Sequence, residues 1–345
     1  MSRITDDPRI DPRIKAAMGM MPESPARDVA SRDEMVKAAT SEAALAQREQ
    51  SKAFFATMDW ESVVSSEGLK VYSEAVTSQP DGNSINIQFV RPDNDEVLPC
   101  AYYIHGGGMA FLSCYDANYL AWAKMIASQG IVVAMVDFRN AVSPSSVPEV
   151  APFPAGLNDC VSGLRYVVDN ASQHGVDTDH IVVTGESGGG NLTLATGLKL
   201  KEDGDIGLIQ GLYAFCPYIA GHWPQDDLPS STENNGIMLN LHSNTGAMGY
   251  GWDAFEAKDP LAWPGFATEA DVLGLPPVVI SVNECDPLRD EGIRFYRTLL
   301  SAGVPARCVN VLGTTHGTEF FPTMCPDISW SGARDVAAFC KGTNG

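Results

Sequence analysis

Positive charge is scarce in this chain: 23 lysines and arginines stand against 43 aspartates and glutamates, a formal net charge of −20. A surface of that sign repels phosphate backbones and anionic headgroups, so nucleic acid and membrane surfaces are poor electrostatic partners. Long apolar runs are missing too. Nothing approaches the ~18 residues of a membrane span, and the opening Met1-Ser2-Arg3-Ile4-Thr5-Asp6-Asp7 lacks the apolar centre of a secretory leader. The eight cysteines, at 100, 114, 160, 216, 285, 308, 325 and 340, form no CxxC pair and no cluster of metal-ligand spacing. The expectation is a cytoplasmic protein with reduced thiols and no bound metal. What remains is 345 residues, 44% of them hydrophobic, with a mean hydropathy of −0.07. That describes a globular chain with a substantial core.

The first thirty residues are rich in Pro, Asp and Arg and repeat a short unit, Asp7-Pro8-Arg9-Ile10 then Asp11-Pro12-Arg13-Ile14. They read as an arm laid over another part of the molecule. Ser31 with Glu34 has the spacing of a capping box, opening an alanine-rich helix expected to reach about Thr57. Alternating residues 69–76 and 85–90, joined by Pro80-Asp81-Gly82-Asn83, predict an antiparallel hairpin.

Buried strands are then expected at 100–104, 131–136, 181–184, 208–215, 277–282 and 306–311. Helices are expected at 155–170, 191–202, 290–301 and from about 332 to 340. A hairpin followed by alternating strands and helices predicts an α/β fold, a mostly parallel sheet with helices on both faces. Residues 217–264, rich in Trp, Gly, Asn and Met, break that rhythm and read as an insertion over the C-terminal ends of the strands, where such sheets bind ligands.

One junction organises the rest. The strand Ile181-Val182-Val183-Thr184 runs into Gly185-Glu186-Ser187-Gly188-Gly189-Gly190 and then into an apolar helix. A serine between glycines at a strand-to-helix turn is forced onto a sharp bend that exposes its hydroxyl near a helix N-terminus. The same glycines could make a phosphate loop, but no lysine precedes Lys199, and the dinucleotide spacing G-x-G-x-x-G is absent because position 187 is serine.

A serine hydroxyl needs a base. Of the six histidines, 105, 174 and 180 precede the serine, against the Ser…Asp/Glu…His order of such sheets. His222 and His242 fall in the insertion, leaving His316, in the loop after the last predicted strand. The acid belongs in the loop after strand 277–282. Asp290 and Glu291 open a helix and suit its dipole, so Asp286 is the choice, with Glu284 as a competitor that spacing does not dismiss. His105-Gly106-Gly107-Gly108, after the strand at 100–104, has the form of a loop offering backbone N–H groups to a developing oxyanion. Gly107 and Gly108 would donate from that loop and Gly188 from the serine turn, with His105 bracing the loop. Met109, Phe111 and Tyr115, with Tyr218, Trp223, Met238 and Trp252 in the insertion, could equally line a pocket or pack the insertion onto the core.

Together, His105–Gly108, Gly185–Gly189, Asp286-Pro287-Leu288-Arg289-Asp290-Glu291-Gly292 and His316-Gly317 resemble the hormone-sensitive-lipase-like bacterial esterases over roughly residues 98–340. Stretches such as Val136–Ala141, Pro152–Pro154 and Asp259–Pro264 resemble one member in particular.

The resemblance implies an α/β-hydrolase core in two parts, 61–216 and 265–345, and a cap built from residues 1–60 and the insertion 217–264. It also implies a Ser187–His316–Asp286 triad, with Glu284 a bystander, and hydrolysis of short-acyl or aryl carboxylic esters without a cofactor. An amidase, deacetylase or lactone hydrolase on the same triad is the alternative, and a small-molecule receptor the remote one. The expected partner is a small ester. No nucleic-acid contact or membrane insertion is implied, and the resemblance leans towards a homodimer. The chain departs from the common family pattern at Glu186 and Gly188, often Asp and Ala, and at Thr318, features that bear on specificity.

Overall fold

The computed structural model describes residues 3–20 and 26–342. Its frame is an eight-stranded sheet made of β1 Leu69–Thr77, β2 Ser84–Pro92, β3 Leu98–Ile104, β4 Val132–Asp137, β5 Val176–Glu186, β6 Gly211–Phe215, β7 Val278–Asn283 and β8 Ala306–Val311. The strand order is β1-β2-β4-β3-β5-β6-β7-β8. Only β2 runs against the rest, paired antiparallel with β1 and β4, while β4, β3, β5, β6, β7 and β8 are parallel. This is the α/β class expected from the alternating pattern.

The helices, in chain order, are α1 Arg3–Asp6, α2 Pro12–Met18, α3 Arg32–Ala39, α4 Glu42–Ala56, α5 Ala117–Ala127, α6 Ala155–Asp169, α7 Ala171–His174 and α8 Gly188–Asp203. They continue with α9 Ser230–Glu233, α10 Thr245–Tyr250, α11 Trp252–Glu256, α12 Glu269–Val272, α13 Arg289–Ser301 and α14 Pro326–Cys340. Apolar residues of α5 and α14 cover one face of the sheet around Trp122, Tyr103 and Phe215. Those of α6, α8 and α13 cover the other around Tyr102, Leu192 and Phe295. With both faces covered, β4 is buried at every position, as its unbroken apolar run requires.

Several boundaries differ from expectation for local reasons. The helix predicted from Ser31 to Thr57 is two helices. Thr40 turns its hydroxyl back to the Val36 carbonyl, and the Ser41 hydroxyl receives the Ala44 N–H, so the chain stops and restarts. Ser31 does cap α3, but Glu34 reaches the Ala30 N–H rather than that of Ser31.

Three further shifts have similar causes. The strand expected from residue 208 begins only at Gly211, because Leu208 closes a 3₁₀ turn, Ile206–Leu208, before β6. The last helix starts at Pro326, six residues earlier than expected, with proline in its first turn where its missing N–H costs nothing. The helix after the serine begins at Gly188, because its three glycines, poor helix formers, are recruited by close packing.

The duplicated Asp-Pro-Arg-Ile units make two matching staples. Arg9 bonds Asp7 and reaches Glu233 and Asn234, whereas Arg13 bonds Asp11 and reaches Asp327. Ile10 and Ile14 are buried with Ile237, Cys285 and Cys325. The arm therefore lies across the insertion and the C-terminal part of the core.

Candidate active site

Ser187 sits in a conformation that few non-glycine residues adopt, φ 57° and ψ −118°, directly before α8. Strain of this kind persists only where surroundings enforce it. Here the Ser187 N–H donates to the Phe215 carbonyl at 2.9 Å, and its carbonyl receives the N–H groups of Asn191 and Tyr218. A Cβ at Gly189 would strike Ile104 O and lie 2.7 Å from His105 O, and one at Gly185 would lie 2.6 Å from Gly189 O. Those two positions are glycine because β5, α8 and the end of β3 touch there.

The loop after β3 is pressed against the same turn. Gly107 and Gly108 both have positive φ, 96° and 62°. A Cβ on Gly188 would lie 2.6 Å from the Gly108 nitrogen and would strike that of Met109. The structure thus brings Gly107, Gly108 and Gly188 to one place beside Ser187. His105 is fully buried, stacked on Phe138 at 4.4 Å, with Nδ1 2.9 Å from the Gly106 carbonyl oxygen and Nε2 3.5 Å from Asp137. Burial lowers its pKa, although Asp137 opposes this, so it packs as a neutral prop.

Asp286 and His316 are also together. The His316 Nδ1 lies 2.7 Å from Asp286 Oδ2, both side chains being almost fully buried, and Asp286 Oδ1 accepts the Leu288 N–H at 2.9 Å. Burial works to lower the imidazole's pKa, but the Asp286 carboxylate outweighs it and, with help from Cys216, holds it well above its ordinary value. The Cys216 thiol, at the end of β6, lies within 4.8 Å of ligating atoms of both, the one group of potential metal ligands among the described residues. Phe215 and Cys216 are the hinge of the arrangement: the first receives the Ser187 N–H, the second touches His316. Ser187 is half-buried, and its hydroxyl has no hydrogen-bond partner among the described residues. Catalytic hydrogen bonds are commonly unformed before substrate binds.

Glu284, the competing acid, faces away and accepts the Gly313 N–H at 2.7 Å. Glu291 does lie in the first turn of α13, as expected, but it does more than face the helix dipole. It is buried, accepts the N–H groups of Ile219 and Ala220 and the Trp223 indole N–H, and so anchors the start of the insertion to α13. Desolvation pushes its pKa up to about 8, against those hydrogen bonds.

Two further supports escaped the sequence reading. Asn234 in the insertion donates to the Glu284 and Asp286 carbonyls. Asn283 donates to Thr314 and Glu319 and accepts the Gly317 N–H, setting the loop that carries His316. Buried amides bridging loops leave no periodic or motif signal. Among the candidate walls, Met109, Tyr218 and Trp223 are buried, the last two stacked at 4.6 Å, and pack the insertion to the core, while Phe111 and Tyr115 remain partly exposed. A cleft of about 630 Å³ lies elsewhere, between α14 and β6–β8, and holds none of Ser187, Asp286 or His316.

Residues 101–320 match the family described as alpha/beta hydrolase fold, and the chain belongs to that family. Within it, the resemblance to hormone-sensitive-lipase-like esterases holds in three dimensions. Esterase Est22 is 61% identical, covers 99% of this chain and 100% of its own, and superposes with a TM-score of 0.95. Its solved structures include a serine-to-alanine mutant and one with p-nitrophenol.

Brefeldin A esterase, described as a bacterial homologue of human hormone-sensitive lipase, is 34% identical over 98% of this chain and 94% of its own, with a TM-score of 0.85. It is the member that the shared stretches single out. Carboxylesterase NlhH of Mycobacterium tuberculosis is 32% identical over 244 residues, 70% of this chain and 73% of its own. No helix among the described residues is long and apolar enough to cross a membrane.

Proposed function

We propose that this protein is a serine carboxylesterase acting on short-acyl or aryl esters through an acyl-enzyme. The observation that carries the reading is the 2.7 Å Asp286–His316 pair, buried at the ends of β7 and β8 beside the strained Ser187 turn. The relatives' names support the same chemistry.

In the first half-reaction His316 Nε2 takes the Ser187 hydroxyl proton as Oγ bonds to the ester carbonyl carbon. Asp286 fixes the imidazole tautomer through Nδ1 and stabilises the imidazolium. The N–H groups of Gly107, Gly108 and Gly188 receive the carbonyl oxygen as it becomes negative. Collapse breaks the bond to the alcohol, which leaves with the proton from His316. Water then repeats the sequence on the acyl-enzyme, releasing the carboxylic acid and restoring Ser187. Apart from the ester and the water, every group in this proposed cycle belongs to the chain, and the cycle calls on no metal or organic cofactor.

The test is hydrolysis of p-nitrophenyl acetate and butyrate by the wild type beside Ser187→Ala. Rapid turnover lost in the folded variant supports the reading, and retained activity overturns it. Faster cleavage of p-nitroacetanilide than of the esters would move the substrate class to amides. A homodimer and a cytoplasmic location complete the proposal. β8 and β1 are the two edges of the sheet, and light scattering at micromolar concentration and cell fractionation test the two proposals.

A further inference from the structure

The residue before the nucleophile has no role in the cycle above, yet it is among the most constrained carboxylates in the molecule. Glu186 is 4% exposed and ends β5 on the core side of the serine turn. Its Oε1 accepts the Gly106 N–H at 2.7 Å and the Tyr119 hydroxyl at 2.6 Å, and its Oε2 accepts the Tyr103 hydroxyl. Three donors converge on a group that, when ionised, only accepts. No cation is among them.

We propose that Glu186 is a positioning residue for the oxyanion loop, and that its negative charge holds Gly106, and through it Gly107 and Gly108, in the donating geometry. The inference rests on the esterase reading and concerns the same site. The links are short. Gly106 is pinned by Oε1, and a Cβ there would strike that same oxygen. Gly107 follows with a positive φ, and the Gly108 nitrogen lies against Gly188. Shifting Gly106 therefore shifts both donors that follow it.

The charge matters because of how the donors are arranged. A protonated Glu186 would accept more weakly and carry an O–H of its own, so a hydroxyl that now donates to it would have to turn and accept, loosening the set that holds Gly106. Both hydroxyls keep their protons, since burial raises the pKa values of Tyr103 and Tyr119 well above the ordinary tyrosine value, and both donate to the ionised carboxylate. The groups facing this cluster are Tyr103 from β3, Tyr119 from α5, His105 on the loop, Asp116 before α5 and Cys216 after β6. Of these, only Asp116 carries a carboxylate, and it acts on Tyr119 and on His105.

Desolvation pushes the Glu186 pKa up to about 7, against the hydrogen bonds from Tyr103, Tyr119 and Gly106. Its charge is thus sensitive to those donors. Loss of an oriented oxyanion donor lowers kcat rather than raising KM, because the bond is made in the transition state.

The experiment compares Glu186→Gln, Glu186→Asp and Tyr119→Phe with the wild type and Ser187→Ala. Glu186→Gln should lower kcat about 10- to 100-fold with KM changed less than about threefold, the scale of a weakened oxyanion donor. Glu186→Asp should restore part of the rate. Tyr119→Phe removes a donor that favours the charge and touches neither Ser187 nor His316, so the acid limb of kcat should move to higher pH.

If Glu186→Gln fails to fold, Tyr119→Phe and Tyr103→Phe decide the matter by the same shift. Variants that fold with wild-type kcat and an unmoved acid limb overturn the proposal. Activity surviving in Ser187→Ala would instead mark failure of the esterase reading itself.

Discussion

Asp286 Oδ2 and His316 Nδ1 meet at 2.7 Å although 30 positions separate them in the chain, because β7 and β8 are parallel neighbours whose C-terminal loops rise on the same edge of the sheet. That one contact fixes which ring nitrogen faces the carboxylate and leaves Nε2 for the serine. Asp286→Asn should lower kcat by about 10⁴, the size of effect expected when the wrong tautomer is held. A steady-state comparison with an unchanged circular dichroism spectrum checks it.

The same pair sets the pH response. His316 is held well above its ordinary pKa by Asp286 despite burial, and the base must be neutral to accept a proton. Activity should therefore be low at acid pH and rise through a midpoint above the unperturbed imidazole value of about 6.5. A kcat/KM profile flat from pH 5 to pH 8 would contradict His316 as base.

Contact between the two glycine turns makes a steric prediction. Alanine, common in the family at this position, needs only a small give of the loop, but Gly188→Val would drive a branched side chain against the Gly108 and Met109 nitrogens, displacing the loop rather than the nucleophile. The expected result is a roughly 10²- to 10³-fold loss in kcat, the scale of a missing oxyanion donor, with substrate affinity largely kept. Burst kinetics with p-nitrophenyl acetate would place the loss in acylation.

Glu291 predicts a stability effect with a definite sign. Its folded pKa of about 8 lies above its ordinary value of 4.5, so between those pH values the folded state binds more proton than the unfolded state. This carboxyl therefore stabilises less as pH rises through that window. Glu291→Gln removes the titration but also an acceptor, and should lower Tm at pH 5.5 with a gap that narrows towards pH 9. A gap that stays constant across the range would count against the raised pKa.

Much of this was legible beforehand because it obeys local rules. The strained serine turn, the glycine loop and His316 in a post-strand loop are each written in a few consecutive residues, and the parallel order brings them together. Glu186, Glu291, Asn234 and Asn283 were not legible. Their partners lie 80, 72, 50 and 31 positions away, and a lone polar residue in sequence does not reveal whether it is solvated or buried against backbone donors. The break at Thr40-Ser41 was missed for the opposite reason. Composition favoured a helix throughout, and two hydroxyls settled the boundary.

The amino-terminal arm has a consequence for biogenesis. Asp11 donates its N–H to the Gly313 carbonyl, three residues before His316, while Arg9 and Arg13 reach Glu233 and Asp327. The arm therefore docks on residues as far as 224 and 314 positions along the chain. Until those residues have been made and folded the arm has no surface to dock on, and its closure is among the longest loops formed by the described residues. A chain truncated after β7 would lack Cys285, Cys325 and Asp327 and so uncover part of Ile10 and Ile14, which makes docking of the arm a readout of whether the last strand and helix are in place.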